Sequence, residues 1–485
     1  MISGISPKSE YISTDRLLYH RSRLNHPFLR LFLTNNNRRE QLLPAYRTMH
    51  KYLAILFSAA LISSLVQGCI TAESSFTRVA PGIWRGVLEL DKFQIPVRDK
   101  DTVIVLHDQF KENELPFNFE VTYLDDERFY IEIINGSERI RLDSIQYGRD
   151  RTRARDTMNI HFPEYQSYIH VEIRGGVMQG EWVVTTKDNY RIPFYAHAGR
   201  DYRFTPLAQK PDTDLSGEWA VLFGTETDEQ EKAIGEFKQT GNRLEGTFRT
   251  ETGDYRFLEG TVQGRKFWMS TFDGTHAYLF SGSIRGDTLN GEYRSGKHFR
   301  TLWAAWRDPD FRLADADSLT ILKAGANISF NLKTPEGRDL SFPSKTFDGK
   351  IKIFTVMGTW CPNCRDEQVF LRDYLKENPD AAKDLAIVAF SFERHKEPAQ
   401  ANAHLLEYKK KLGIPFDIVY GGKADKAEAG KVFPALDKVL AFPTMIILDK
   451  ENRVRQIHTG FDGPATSKYA AFKQEFSALI DNLRK

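Results

Sequence analysis

The chain has 485 residues, and at roughly 150 residues per domain this length predicts about three domains. Hydrophobic residues make up 41% and charged residues 27%, which excludes a collagen, a disordered chain and a polytopic membrane protein. The 67 basic and 65 acidic residues nearly cancel, so charge gives no reason to expect nucleic acid as a partner. The three cysteines are too few for a disulfide-built scaffold, so any cysteine chemistry is local.

Residues 1 to 68 are interpreted as a leader. From Met49, a short charged start precedes an apolar run at residues 52–66 and a few small or polar residues, the three-part plan of a secretory signal. The end of this segment, LVQGC, resembles a bacterial lipobox, although Gln67 departs from the usual small residue. The resemblance implies that Cys69 is acylated and becomes the new N-terminus. A cleaved ordinary signal and an uncleaved anchor are alternatives, and all three export the remainder of the chain.

The segment before Met49 is interpreted as an over-long start, with an Arg-rich transit peptide as the alternative. The chain after Cys69 carries more acidic than basic residues, so the positive formal charge comes from the leader. We therefore expect an exported bacterial lipoprotein that faces the periplasm or is attached to the outer membrane.

The next region is predicted to be all-β, as two tandem domains at residues 76–206 and 214–308. Its runs combine β-branched and aromatic residues with turns rich in Gly, Asp and Asn, and no long helical apolar stripe interrupts them. The start GIW at 82–84 is echoed by GEW at 217–219, and RGGVMQGEW at 174–182 is echoed by RGDTLNGEY at 285–293. Two repeated antiparallel units, each closed into a small barrel or sandwich, are the simplest account.

These β units are interpreted either as a ligand-binding or partner-binding module or as a spacer. The spacer is favoured because no convergent cluster of polar residues is visible in the sequence.

From residue 326 to 485 strands and helices alternate, which predicts an α/β domain with helices on both faces of a mixed sheet. Buried strands are predicted at 351–357, 385–392 and 444–448 and a further strand at 454–458. Helices are predicted at about 365–375, 398–412 and 468–484.

The motif GTWCPNC falls between the first of these strands and its helix. Cys361 is placed at the helix N-terminus, where unpaired N–H groups and the helix dipole stabilise a thiolate. Cys364 follows three positions later on the same face, within disulfide reach, so the pair can cycle between dithiol and disulfide. Half of a zinc site and a permanent structural disulfide are alternatives, but no second cysteine pair exists and the strand–helix setting favours redox chemistry.

This domain resembles the exported, membrane-tethered thiol–disulfide oxidoreductases of the TlpA/ResA type in the thioredoxin-like superfamily. The resemblance rests on IKIFTV, GTWCPNC, the following RDE and the segment FPTM at 442–445. It implies that Cys361 is the nucleophile, with Trp360 beside it, and that Cys364 resolves the mixed disulfide. It further implies that Pro443 is a cis-proline facing the substrate and that Glu367 assists proton transfer. Glu367 has a structural alternative, since acids favour first helical turns in any case.

The buried aspartate of cytosolic thioredoxins has no counterpart here, because Thr355 occupies its position. The expected function is reduction of protein disulfides by a membrane-anchored enzyme. No flavin or nicotinamide motif is present, so no cofactor is expected and an upstream membrane dithiol donor is needed.

Two rival functions come from other interpretations of the chain. A thiol peroxidase on the same fold would need a Pro-x-x-x-Thr-x-x-Cys pattern, which neither cysteine shows. A surface-binding lipoprotein would place its main function in the β domains and treat the redox domain as accessory.

Overall fold

The computed structural model describes residues 78–90, 111–152 and 155–485. The predicted leader and Cys69 lie outside these residues. The predicted fold class is confirmed: two antiparallel β sheets come first, and an α/β domain with a thioredoxin-like fold comes after them.

The first sheet has nine antiparallel strands: β1 (Gly82–Glu89), β2 (Glu114–Tyr123), β3 (Phe129–Asn135), β4 (Glu138–Leu142), β5 (Ile145–Asp150), β6 (Arg155–Phe162), β7 (Ser167–Arg174), β8 (Val177–Val184) and β9 (Arg191–Ala198). Each strand pairs with the next along the chain except β4 with β5, and β9 returns to pair with β1. The meander therefore curls into a barrel that is open between β4 and β5. A 3-10 turn at Pro163–Tyr165 joins β6 to β7.

The second sheet contains the next nine strands: β10 (Gly217–Phe223), β11 (Glu231–Thr240), β12 (Arg243–Thr250), β13 (Gly253–Asp254), β14 (Leu258–Gln263), β15 (Lys266–Phe272), β16 (Ala277–Arg285), β17 (Thr288–Ser295) and β18 (Phe299–Trp306). Strand β12 pairs with both β11 and β14, and β18 pairs with β10, so the sheet closes into a ring. The short β13 pairs with β12 and is not a member of this ring. Closure leaves the ring no unpaired edge of the kind that invites aggregation.

The repeat predicted between the two sheets has a structural counterpart. Trp84 and Trp219 lie in the first strand of their sheets, and each indole N–H donates to the carbonyl four residues earlier, at 2.8 and 2.9 Å. At Gly180 and Gly291, a Cβ would lie 1.8 and 1.9 Å from a carbonyl oxygen of the neighbouring strand. Only glycine allows that approach, so both copies need it for the same steric reason.

The two barrels share one apolar core. Phe272 of β15 packs against three aromatic rings of the first barrel, with ring-centroid distances of 4.7 Å to Phe117, 5.0 Å to Trp182 and 5.5 Å to Phe162. The second barrel also has a core of its own around Phe248. The barrels therefore pack as one apolar body.

The α/β domain opens with a hairpin and continues into a five-stranded sheet. The hairpin strands are β19 (Phe330–Lys333) and β20 (Asp339–Phe342), followed by a 3-10 turn at Lys345–Phe347. The sheet strands are β21 (Ile351–Met357), β22 (Leu385–Glu393), β23 (Asp417–Lys423), β24 (Thr444–Leu448) and β25 (Val454–Thr459). Their order is β23-β22-β21-β24-β25. Strands β21, β22 and β23 are parallel to one another, β24 is antiparallel to β21, and β25 is antiparallel to β24.

Five helices complete the domain: α1 (Pro362–Glu377), α2 (Pro379–Ala382), α3 (Pro398–Leu412), α4 (Lys426–Val432) and α5 (Tyr469–Arg484). Helices α1, α3 and α5 share an apolar cluster on one face of the sheet, around Phe370, Tyr408 and Ile480. The hairpin and α4 cover the other face, around Phe330 and Phe433. All seven residues of β21 are buried between these layers, so the end of β21 is fixed in place.

Candidate active site

The CxxC motif lies where β21 passes into α1. Cys361 is the N-cap of the helix, and its Sγ accepts a hydrogen bond from the N–H of Cys364 at 3.3 Å. Pro362 occupies the first helical turn, where its fixed φ fits and no N–H is required. Both cysteines are free thiols, and Cys361 is 7% exposed whereas Cys364 is fully buried. Residue Cys361 thus keeps a small exposed area, and Cys364 keeps none.

The loop that leads into β24, the antiparallel neighbour of β21, faces Cys361. The peptide bond between Phe442 and Pro443 is cis, and the Cys361 thiol lies 3.5 Å from the Phe442 carbonyl oxygen, to which it donates. Trp360 is fixed beside it: its indole N–H donates to the Phe392 carbonyl at 2.8 Å and its ring meets Phe442 edge-on at 5.5 Å. The structure therefore brings together Trp360, Cys361 and the Phe442–Pro443 loop.

Below the cysteines lies a buried polar cluster. Glu367 is fully buried, and its Oε2 accepts a hydrogen bond from the Gln368 amide at 3.2 Å, whereas its Oε1 has no partner. The Gln368 amide also donates to the hydroxyl of Thr355, at 3.0 Å. Burial, and then the negative charge of Cys361, raise the pKa of Glu367 well above its ordinary value. Both causes therefore favour the protonated form of Glu367.

Burial also acts on the second cysteine. It raises the pKa of the Cys364 thiol well above its ordinary value, and the hydrogen bond with Cys361 and the Cys361 charge add to the shift. Burial and the neighbouring Cys361 therefore both favour the protonated form of Cys364.

A second buried acid, Glu393 at the end of β22, was not identified from the sequence. Its carboxylate accepts hydrogen bonds from the Thr359 N–H at 3.0 Å, the Thr359 hydroxyl at 2.7 Å and the Ser391 hydroxyl at 2.5 Å. The Thr359 hydroxyl also lies 3.1 Å from Nε2 of His404. Burial raises the pKa of Glu393. These bonds fix Thr359, the residue before Trp360 and Cys361. The sequence signal that could have identified Glu393 is an acidic residue at the end of an apolar strand.

The second barrel contacts the motif directly. The Thr275 hydroxyl lies 3.4 Å from the Trp360 carbonyl oxygen, and the Asn363 amide donates to the Asp254 carbonyl at 3.2 Å. Arg256 forms an ion pair with Asp366 of α1, just after the first turn of the helix. The sequence contained no signal for these contacts, because they join residues that are distant along the chain.

Not every predicted feature lies in the described residues. The lipidation residue predicted at Cys69 falls outside them. Within residues 78–90, 111–152 and 155–485, no group of three or more His, Cys, Asp or Glu side chains is arranged to hold a metal ion. No helix in this same part of the chain has both the length and the apolar character needed to cross a bilayer.

A dithiol at the start of a helix, opposite a cis-proline loop on a five-stranded mixed sheet, defines a thioredoxin-like thiol–disulfide oxidoreductase. The comparisons agree. The family model described as Redoxin matches residues 323–472. "Thioredoxin-like protein YneN" of Bacillus subtilis (strain 168) is 30% identical over 132 residues, which are 27% of this chain and 68% of that protein. Through its C-terminal domain, the chain belongs to the thioredoxin-like family.

Solved structures are similar to the same domain. A thiol:disulfide interchange protein of the thioredoxin family from Chlorobium tepidum TLS is 20% identical, with a TM-score of 0.26, and covers 33% of this chain and 95% of its own. A secreted thiol-disulfide isomerase from Corynebacterium glutamicum is 14% identical, with a TM-score of 0.26, and covers 36% and 96%. The Redoxin match begins after the last strand of the second barrel.

Proposed function

We propose that this enzyme reduces disulfide bonds of protein substrates through Cys361 and Cys364. The observation that carries the proposal is the unequal placement of the two sulfurs. Cys361 is 7% exposed at the N-terminus of α1, where its Sγ accepts the Cys364 N–H and faces the Phe442 carbonyl, whereas Cys364 is fully buried behind it. Cys361 therefore attacks and Cys364 resolves.

The reaction balances in two steps. The Cys361 thiolate attacks one sulfur of the substrate disulfide and forms a mixed disulfide, and the other substrate sulfur leaves as a thiolate and takes up a proton. The Cys364 thiolate then attacks Sγ of Cys361, forms the Cys361–Cys364 disulfide and releases the second substrate thiolate. The substrate gains two electrons and two protons, and the enzyme dithiol is oxidised to a disulfide.

Glu367 is suited to the proton that Cys364 must lose. Burial is the larger cause of the raised pKa of Glu367, and the charge of a Cys361 thiolate adds to it. When Cys361 becomes part of a mixed disulfide, this added contribution disappears and the pKa of Glu367 moves down towards its ordinary value. In this proposal Glu367 relays the proton that Cys364 loses to the departing thiolate. Thr355, at the position of the missing aspartate, takes no part in this transfer.

Trp360 and Pro443 shape the surface that a substrate would meet. In this proposal Trp360 orients the motif through its bond to the strand end, and Pro443 gates the approach to Cys361 from the opposite side. The Phe442 carbonyl, which lies beside the Cys361 thiol, would take part in holding the substrate backbone.

The oxidised enzyme needs an external dithiol, for which we propose an upstream membrane donor. The setting that fits is an exported bacterial lipoprotein anchored through Cys69, facing the periplasm or attached to the outer membrane. Support for this setting comes from the signal-like sequence that ends at Cys69. Intact mass of the protein from a native membrane fraction checks it, and a mature chain that retains residues before Cys69 would contradict it.

The catalytic assignment is tested with insulin and with a small disulfide such as hydroxyethyl disulfide, using dithiothreitol as donor. We expect Cys361→Ser to lower turnover of both substrates to the background rate, because the attacking sulfur is missing. Cys364→Ser is the matched control: it keeps the nucleophile, and when the reduced protein is mixed with substrate in the absence of dithiothreitol it should accumulate a mixed disulfide. Full activity of the Cys361→Ser protein with either substrate would overturn the assignment.

A further inference from the structure

The face of the redox domain that carries Cys361 is covered by the second barrel. Besides the contacts of Thr275 and Asn363, the Arg256 guanidinium bonds to Asp366 and lies 3.5 Å from the Pro362 carbonyl. Packing is close here, because a Cβ on Gly253 would lie 2.1 Å from the Asn363 amide nitrogen. All four positions from Trp360 to Asn363 therefore lie in or next to this contact.

The loop after β25 also contacts the second barrel, at another edge of the same face. The N–H of Gly463 donates to the Asp254 carboxylate at 2.8 Å, and the N–H of Ser467 donates to Glu236 of the second barrel at 2.7 Å. A Cβ on Gly460 would lie 2.7 Å from the backbone of Thr252. Gly460 itself bonds to the Pro443 carbonyl, so the barrel reaches the neighbourhood of the cis-proline.

The first barrel extends the cover. Glu164, in the turn between β6 and β7, pairs with Lys411 of α3 at 3.3 Å. Glu138 of β4 pairs with Arg256, so this one guanidinium joins the first barrel, the second barrel and α1. Asp273 adds a third carboxylate, 4.0 Å from Arg256.

The character of this interface differs from that between the barrels. The apolar clusters of the redox domain contain only its own residues, and its contacts to the barrels through Arg256, Asp254 and Glu164 are hydrogen bonds and ion pairs. Phe272, in contrast, ties the two barrels into one apolar core. Polar contacts can be exchanged for water when surfaces separate, whereas an apolar core cannot open without a large loss of free energy. Separation of the redox domain from the barrel pair would therefore expose these polar groups without dividing a shared apolar cluster.

We propose that the two barrels form an intramolecular gate over the dithiol, with the contacts of Arg256 as its latch. The proposal rests on the reductase function and adds the class of substrate each state accepts. In the closed state, which is the state of this structure, Cys361 is open only to small thiols and disulfides. A protein disulfide reacts after the barrels move away from the motif.

The latch assignment follows from charge. Arg256 is 5% exposed and balances Asp366, Glu138 and Asp273, which are themselves largely buried. Without the guanidinium, these carboxylates face one another at an enclosed interface, and separation of the domains is the change that returns them to water. Removing the positive charge should therefore shift the equilibrium towards the open state.

The test uses the full chain with Arg256→Gln and compares the labelling of reduced Cys361 by N-ethylmaleimide and by a maleimide carrying a 5-kDa polyethylene glycol (roughly 5 kDa being the size of a small folded domain). Insulin and hydroxyethyl disulfide serve as the matching large and small substrates. We expect the ratio of large-reagent to small-reagent rates, and of insulin to small-disulfide turnover, to rise by at least about tenfold, which corresponds to about 1.4 kcal/mol. Arg300→Gln is the matched control, because Arg300 forms an exposed ion pair with Glu292 inside the second barrel, and its ratios should match the wild type.

The wild type provides a second measurement that does not depend on the folding of the variant. A gate that opens slowly makes the large-reagent labelling rate level off as the reagent concentration increases, while small-reagent labelling stays linear. Wild-type rate constants that are equal for the two reagents, or ratios unchanged by Arg256→Gln in a folded protein, would overturn the gate. A wild type inactive towards both disulfides would instead contradict the reductase function, so the two failures are distinct.

Discussion

The two interfaces of the second barrel differ in that only one of them contains a shared apolar core. Towards the first barrel it presents Phe272 among aromatic rings, and the buried cation Arg203 beside them is hydrogen-bonded to the side chains of Asn135 and Ser270 and to two backbone carbonyls. Towards the redox domain it presents Thr275 and Arg256, which contact backbone oxygens and a carboxylate. An apolar interface fixes two units relative to one another, whereas a polar one permits exchange with water. The difference indicates that the interface between the two barrels stays closed, whereas the interface with the redox domain is the one that can open.

The largest expected effect comes from a substitution in the apolar interface between the two barrels. Phe272→Ala removes a fully buried ring shared by both barrels, and we expect a loss of about 3–5 kcal/mol in the free energy of unfolding. Urea unfolding followed by tryptophan fluorescence measures it. Thr275→Ala is the matched control from the other interface, and its single 3.4 Å hydrogen bond should cost no more than about 1 kcal/mol. Equal losses for the two variants would show that the interfaces do not differ in this way.

A smaller expected effect is a pH dependence of the interface between the second barrel and the redox domain. Burial raises the pKa of Asp254 to about 7, against the opposing charge of Arg256, and an exposed aspartate ionises near pH 4. Between about pH 4 and 7 the closed state therefore keeps a proton that the open state loses, so raising the pH weakens closure. Below this window the contribution of Asp254 to closure is complete. Charged or titratable groups around Asp254 and its partners are Arg256, Asp366, Glu138, Asp273, Tyr165, Arg365 and His276.

We expect the ratio of large-reagent to small-reagent labelling to rise from pH 5 to pH 7.5 (a span of about 2.5 units around the raised pKa). The ionisation of Cys361 enters both rates and cancels. In Asp254→Asn the rise should be smaller, because the titrating group is gone. Burial also lowers the pKa of His404 to about 4, which acts in the opposite direction if opening exposes it, and this effect is common to both proteins. Identical pH profiles for wild type and Asp254→Asn would exclude Asp254 from the closure.

The elements of the redox domain could largely be predicted because their signals are local. The strand at Ile351–Met357, the helix at Pro398–Leu412 and the strand at Thr444–Leu448 have the predicted bounds. Helix α1 begins at Pro362, three residues before the predicted start, since the proline belongs to its first turn. Strand β23 and helix α4 were missed, because two adjacent glycines interrupt the first and the second is only seven residues long.

The residues of the candidate site likewise divide into those that local sequence predicted and those that it did not. Cys361 and Cys364 belong to one strand–helix segment, so their proximity could be predicted from spacing, whereas the place of Glu367 in the site was implied by the family resemblance. Glu393 and Thr359 were missed because their hydrogen bonds depend on the parallel pairing of β21 with β22. The β region was predicted as repeated barrels or sandwiches, and its alternating and aromatic runs did not indicate which outer side chains face another domain.

The sequence by itself determined that this protein carries a dithiol at the start of a helix behind a buried strand, because helix caps and buried strands are set by neighbours in the chain. Only the tertiary structure decided that the dithiol lies beneath the second barrel. The ion pair between Arg256 and Asp366 joins residues 110 positions apart, and the bond between Thr275 and Trp360 joins residues 85 apart. Contacts of that separation depend on how completed domains pack, which residue spacing does not encode.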